Sequence, residues 1–186
     1  VRKVLETDRL RLRPLVDGDA AFMLELLNDA EFIRNIGDRG VRTLEQARQY
    51  IRTGPGASPA QHGFSLNVVE LKNSGARVGL CGLLKRDCHP DVEIGFAFLP
   101  VARGQGYASE AARAVLDFAI RRLQLTRVVA LTAPDNQASI RVLAKLGFRF
   151  ERMVSWMDPV RGSRLFAFES PVPPLGGLPE IELTAR

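Results

Sequence analysis

Between Phe64 and Leu123 the apolar residues change their spacing once, and that change restricts the chain to a small set of folds. Residues 64–70, 77–84 and 92–99 are strand-like runs, separated by a turn over Lys72-Asn73-Ser74-Gly75 and a loop through Cys88-His89-Pro90-Asp91. Three such runs with short connections predict an antiparallel meander. Ala111, Ala112, Val115, Leu116, Ala119, Ile120 and Leu123 then recur at helical spacing, so a long helix is expected over about 106–123. The two periods meet in Leu99-Pro100-Val101-Ala102-Arg103-Gly104-Gln105-Gly106-Tyr107-Ala108-Ser109-Glu110.

The flanking segments supply the remaining elements. Arg9-Leu10-Arg11-Leu12-Arg13-Pro14 alternates polar and apolar side chains and stops at proline, as a half-buried strand does. Asp17 is expected to cap a helix running through Asn28, and a shorter helix follows over 30–36. Thr43-Leu44-Glu45-Gln46 forms a capping box for a helix to about Arg52, and the glycines and prolines of 54–59 interrupt the pattern. Downstream come a strand over 127–132, a helix over 136–146 ended by Gly147, and strands within 148–153 and 165–169. This order predicts a mixed α/β layer around a central sheet, rather than a regular doubly wound repeat. Residues 1–169 are expected to form one domain, and the proline- and glycine-rich 170–186 a tail.

Composition narrows the function classes. With 46% hydrophobic and 25% charged residues the chain is an ordinary globular one, and no apolar run nears the ~18 residues of a membrane span. The start lacks a signal-like apolar region, so the cytoplasm is the expected compartment and no membrane partner is expected. Cys81 and Cys88 stand seven apart beside His89, matching neither a redox pair nor a zinc ligand set, and no metal is expected. The net charge of +5 favours anionic ligands. Nucleic acid is not expected among them, because the chain shows neither a helix-turn-helix signal nor an aromatic-basic platform.

The junction at 99–110 is where an anion would bind. Free N–H groups and the positive end of a helix dipole meet there, Gly104 and Gly106 admit close backbone approach, and Arg103 adds a charge. A Walker loop would need a Gly-Lys-Ser/Thr ending, and a dinucleotide fingerprint a third glycine where Ser109 stands. A plain glycine-rich turn that merely starts a helix is the competing reading.

Arg103-Gly104-Gln105-Gly106-Tyr107-Ala108 resembles the signature by which GNAT acetyltransferases hold the pyrophosphate of acetyl-CoA. Residues 136–148, ending in Leu146-Gly147-Phe148, are similar to that family's second CoA-binding helix. Glu6-Thr7-Asp8-Arg9-Leu10-Arg11-Leu12-Arg13-Pro14-Leu15 and Asp91-Val92-Glu93-Ile94-Gly95-Phe96 resemble the subfamily that includes ribosomal-protein N-terminal (Rim-type) acetyltransferases. The resemblance implies a mostly antiparallel sheet with a splayed strand pair after Leu99, into which pantetheine slots. It also implies CoA contacts at Phe98, Leu99, Val101, Arg103, Gly104, Gln105, Gly106, Tyr107, Ala108, Asn136 and Ser139. Asn136 has a second reading as the N-cap of its helix, and Tyr107 one as packing.

Acyl transfer from a thioester needs a neutral amine, a polarised carbonyl and a proton route to the thiolate, but no covalent enzyme intermediate. Glu93, on one face with Gly95, Ala97 and Leu99, matches the place of a catalytic carboxylate in the family; a structural strand glutamate is the alternative. Many members place a tyrosine acid where this chain has Leu143, which leaves Ser139, one turn earlier, as the candidate donor to sulfur. The implied activity is transfer of acetyl from acetyl-CoA, as cosubstrate, to a primary amine on a protein N-terminus or a small molecule. A non-catalytic acyl-CoA sensor on the same fold is the alternative. Residues 28–42, 54–63 and 155–161, with Trp156 and Met157, would set the acceptor, and a homodimer is left open.

Overall fold

The computed structural model describes residues 4–54, 63–87, 89–155 and 160–171. Trp156, Met157, Cys88 and nearly all of the expected tail lie outside the described residues.

Eight strands form one sheet: β1 (Leu5–Glu6), β2 (Leu10–Pro14), β3 (Leu66–Leu71), β4 (Arg77–Lys85), β5 (Val92–Phe98), β6 (Arg127–Thr132), β7 (Arg149–Val154) and β8 (Ser163–Glu169). Their order is β1-β2-β3-β4-β5-β6-β8-β7, and every neighbouring pair is antiparallel except β5–β6. The expected meander is β3-β4-β5. Five α-helices accompany the sheet among the described residues: α1 (Ala20–Leu27), α2 (Ala30–Ile36), α3 (Leu44–Thr53), α4 (Tyr107–Arg121) and α5 (Gln137–Leu146). This is the mixed α/β, mostly antiparallel architecture expected from the sequence. No described helix is long and apolar enough to cross a membrane.

The two-residue alternation of the strands decides which helices cover which face. Val69 packs with Leu10, Leu12, Ile94 and Phe98 against Ala112 and Leu116 of α4 and Leu143 of α5. Its neighbour Val68 points the other way, with Leu80 and Leu99, against Met23, Leu26 and Phe32 of α1 and α2 and Ala47 and Ile51 of α3. One face thus carries α4 and α5, the other α1–α3.

One local expectation changes, and one short strand was not expected. Asp17 does not cap α1: its carboxylate pairs with Arg52, while residues Asp17–Asp19 form a 3-10 turn ahead of the helix. The fully buried Asp19 takes the backbone role, accepting from the Val16 N–H at 2.9 Å and from Arg13 at 2.8 Å. Strand β1, only two residues long, has no periodicity from which to expect it. The box at Thr43 is present in full, with Gln46 N donating to Thr43 Oγ1 and Thr43 N to Gln46 Oε1.

Candidate active site

Strands β5 and β6 run side by side for only two register pairs, Val92 with Val128 and Glu93 with Val129, and then part. Beyond Glu93 the open edge of β5 faces a gap. Leu99 N donates to Val78 O of β4 at 2.9 Å. Since successive residues of a strand turn their N–H and C=O to opposite sides, those of Phe98 and Phe96 face the gap. A strand edge lacking its neighbour, inside a protein, is a template for an extended amide chain.

At the end of β5 the chain makes a 3-10 turn (Pro100–Ala102) and enters α4 through residues 103–106. Gly104 and Gly106 both have positive φ, +75° and +82°, and Gly106 is the left-handed N-cap of α4. A Cβ on Gly104 would meet nothing within 4 Å, so the loop leaves open space there, and the first N–H groups of α4 have no partner within the helix. Arg9 braces this loop from below. Its Nη1 donates to Gln105 O at 3.1 Å, its Nε to Glu110 at 2.7 Å, and its guanidinium stacks 4.6 Å over the Tyr107 ring. Tyr107 thus packs against Arg9, and it also lines the cavity described below.

The structure places the other expected residues as follows. Arg103 donates from Nε to Phe98 O at 3.0 Å and pairs with Asp29, the N-cap of α2. Leu99 has both backbone groups engaged, its carbonyl accepting from Ala102 N, so its backbone offers less to a ligand than that of Phe96. Val101 is 81% exposed on the outer side of the turn. Asn136 caps α5, accepting from Ser139 N at 3.0 Å, and both residues line the cavity described below. Leu143 is fully buried in the core and offers no acid.

Glu93 sits where the two strands part. It is buried, and Arg86 donates to it at 2.6 Å, while His89 Nε2 stands 3.7 Å from the same oxygen. Burial pushes this carboxyl up, but the nearby His89 imidazole and the hydrogen bond and charge of Arg86 outweigh it and hold Glu93 below its ordinary value. Glu93 is therefore an ionised carboxylate across the neutral range.

One cavity of about 870 Å³ links these parts. It runs from Arg103, Gly104 and Gly106, past Phe96, Phe98 and Ser139, to Glu93 and on to a chamber walled by α1, α2 and Tyr50 of α3. Sequence reasoning missed Arg86, His89 and Tyr50, which lie on a loop and a helix with no motif. It also missed Thr132, at the end of β6: its Oγ1 is buried without a hydrogen-bond partner among the described residues, and the residue lines the cavity. A buried hydroxyl of this kind fits a site completed by a ligand. Among the described residues no group of three or more His, Cys, Asp or Glu could hold a metal ion.

Residues 9–149 match the acetyltransferase (GNAT) domain. The chain belongs to the GNAT acetyltransferase family. Its relatives include YkkB of Bacillus subtilis (strain 168), 34% identical over 160 residues, 84% of this chain and 91% of the relative. YoaA of the same organism, named as an uncharacterized N-acetyltransferase, is 32% identical over 149 residues, 80% and 84% of the two chains. In fold, this GNAT domain is similar to RimL, a ribosomal L7/L12 alpha-N-protein acetyltransferase in complex with coenzyme A. That likeness has a TM-score of 0.77 over 90% of this chain and 98% of that one, at 19% identity. The Rim-type resemblance seen in the sequence thus extends to the fold.

Proposed function

We propose that this GNAT protein moves the acetyl group of acetyl-CoA to a primary amine by direct transfer. The observation that carries the reading is the continuity of the cavity: one space joins the left-handed glycine loop, the unpaired edge of β5 and the Glu93 carboxylate. The glycine loop and α4 N-terminus suit a diphosphate, with Arg103 exchanging Asp29 for it. The backbone N–H and C=O of Phe96 and the N–H of Phe98 suit the amides of pantetheine, and Thr132 Oγ1 and the Asn136 and Ser139 side chains border the same path.

In this reading Glu93 acts on the amine from a fixed negative charge. Its lowered affinity for protons makes it a poor sink by itself, so it orients the ammonium and passes the proton on through water. Arg86 and His89 keep that carboxylate in place. Ser139, on the α5 turn before the buried Leu143, is the hydroxyl that supports the departing thiolate.

Thiol release from acetyl-CoA, measured against a panel of peptides, amino acids, polyamines and aminoglycosides, tests the proposal. Release accelerated by at least one amine supports it. Tight CoA binding with no acceleration by any amine would instead favour a non-catalytic acyl-CoA sensor.

A further inference from the structure

The acceptor half of the cavity has a charge pattern that discriminates among amines. Its walls are apolar, formed by Met23, Leu27, Phe32, Ile36, Leu66 and Leu84. Among the described residues, the charged side chains lining the cavity outside the glycine loop and α5 are Arg34, Arg39, Arg86 and Arg161, with Glu31 and Glu93.

Both carboxylates already have partners. Glu93 is bonded by Arg86 at 2.6 Å, and Glu31 faces Arg34 at 3.5 Å and accepts from Asn35 at 3.0 Å. Asp135, in the loop before α5, is gripped by Arg34 at 2.9 Å and Arg161 at 2.7 Å, and Arg161 Nη1 also donates to Arg34 O at 2.8 Å. This network ties α2 to the loop before α5 and to the β7–β8 turn, so that side of the chamber is walled.

Arg39 differs from the other arginines. Among the described residues its guanidinium contacts the Ile36 carbonyl at 3.4 Å and has no carboxylate within ion-pair distance. The adjacent Asp38 is held by Arg42. Arg39, Tyr50 and Arg86 all line the chamber. A cationic chain such as a polyamine would bring extra ammonium groups to a wall whose carboxylates are taken and whose remaining charge is positive. An anionic group there meets Arg39 and the Tyr50 hydroxyl, and an apolar group meets α1 and α2.

We propose, resting on the transferase reading above, that the acceptor is a compact amine carrying a carboxylate and an apolar side chain. Its carboxylate lies against Arg39 and Tyr50, its apolar part packs on Met23, Leu27 and Phe32, and its amino group is directed to Glu93.

The test compares kcat/KM for thiol release from acetyl-CoA with leucine, leucinamide, isoamylamine, spermidine and a tetrapeptide beginning with leucine. Leucine should exceed each of the others by about tenfold or more, even though the leucinamide amine is the easier to deprotonate. Arg39→Gln, in an exposed loop, should bring leucine to within about twofold of isoamylamine and leave CoA affinity by calorimetry unchanged. Arg39→Glu should raise spermidine relative to leucine.

Spermidine or the tetrapeptide matching or exceeding leucine would overturn the acceptor assignment while leaving the transferase reading intact. So would a leucine preference untouched by Arg39→Gln. Bound CoA with no release for any amine would overturn both.

Discussion

Replacing Glu93 by glutamine separates its role as an ion-pair partner from its role toward the amine. The Glu93 side chain is 6% exposed and that of Arg86 30%. Removing one member of a buried pair costs about 3–5 kcal/mol. Because Arg86 keeps some water, the lower end applies, about 3 kcal/mol. At about 2–4 °C per kcal/mol for a chain of this size, Glu93→Gln should lower Tm by about 6–12 °C near neutral pH.

The pH dependence follows from the direction of the shift. The folded carboxyl is held below its ordinary value of 4.5, so its stabilisation is complete above that value and is lost as pH falls through the folded one. The gap in Tm between wild type and variant should therefore be widest at about pH 7.5 and shrink at about pH 4. Arg86→Met combined with Glu93→Gln should recover more than half of the loss, since a pair replaced by neutral groups leaves no buried charge behind.

Scanning calorimetry of the three proteins at several pH values measures all of this. Activity is read separately, below the lowest Tm, as kcat/KM against pH. The wild-type profile should rise with deprotonation of the amine and show no limb from Glu93 between about pH 5 and 8. A Glu93→Gln variant that melts within about 1 °C of wild type at neutral pH would show that the carboxylate is not an ionised partner of Arg86. The mechanistic use made of it would then fail too.

Other substitutions probe the cosubstrate side. Gly104→Val and Gly106→Val should each weaken CoA binding by calorimetry by about tenfold or more, since a branched side chain strains the left-handed backbone at both positions and, at Gly106, also crowds the Arg9 guanidinium that braces the loop. Thr132→Val should leave the ligand-free protein as stable or raise it by about 1 kcal/mol, because a buried hydroxyl without a partner is removed, and should weaken CoA binding. Equal CoA affinity would remove Thr132 from the site. Ser139→Ala should lower kcat more than CoA affinity if its hydroxyl serves the thiolate, and a parallel loss in both would assign it to binding alone.

Where the sequence had period or punctuation, the fold could be read from it. The helix Ala30–Ile36, the box at Thr43, the strand Arg127–Thr132 and the stop at Gly147 all stand where their patterns point. The insertion of β8 between β6 and β7 could not be read, since the order of strands is decided by long-range packing and not by any local run. The glycine junction was legible because left-handed turns need glycine. The acceptor chamber was not: Arg39, Tyr50 and Arg86 come from separate segments and have in common only their meeting around one space. Asp19 shows the same limit, because a buried aspartate held by Arg13 looks in sequence like any other helix-start acid.

The brief contact between β5 and β6 has a consequence for how the width of the gap is set. With two register pairs joining the halves of the sheet, the separation of the strands past Glu93 is fixed by what is wedged beneath them. Leu146 and Phe166 belong to the same packed cluster as Ile94, Phe98 and Ala130, yet neither is among the residues lining the cavity. In an interior packed as densely as a crystal, a methylene gained or lost at either position is felt by the strands above. The bore of the slot is thus a property of the core, and a sequence can retune what the slot admits while every ligand-facing side chain stays the same.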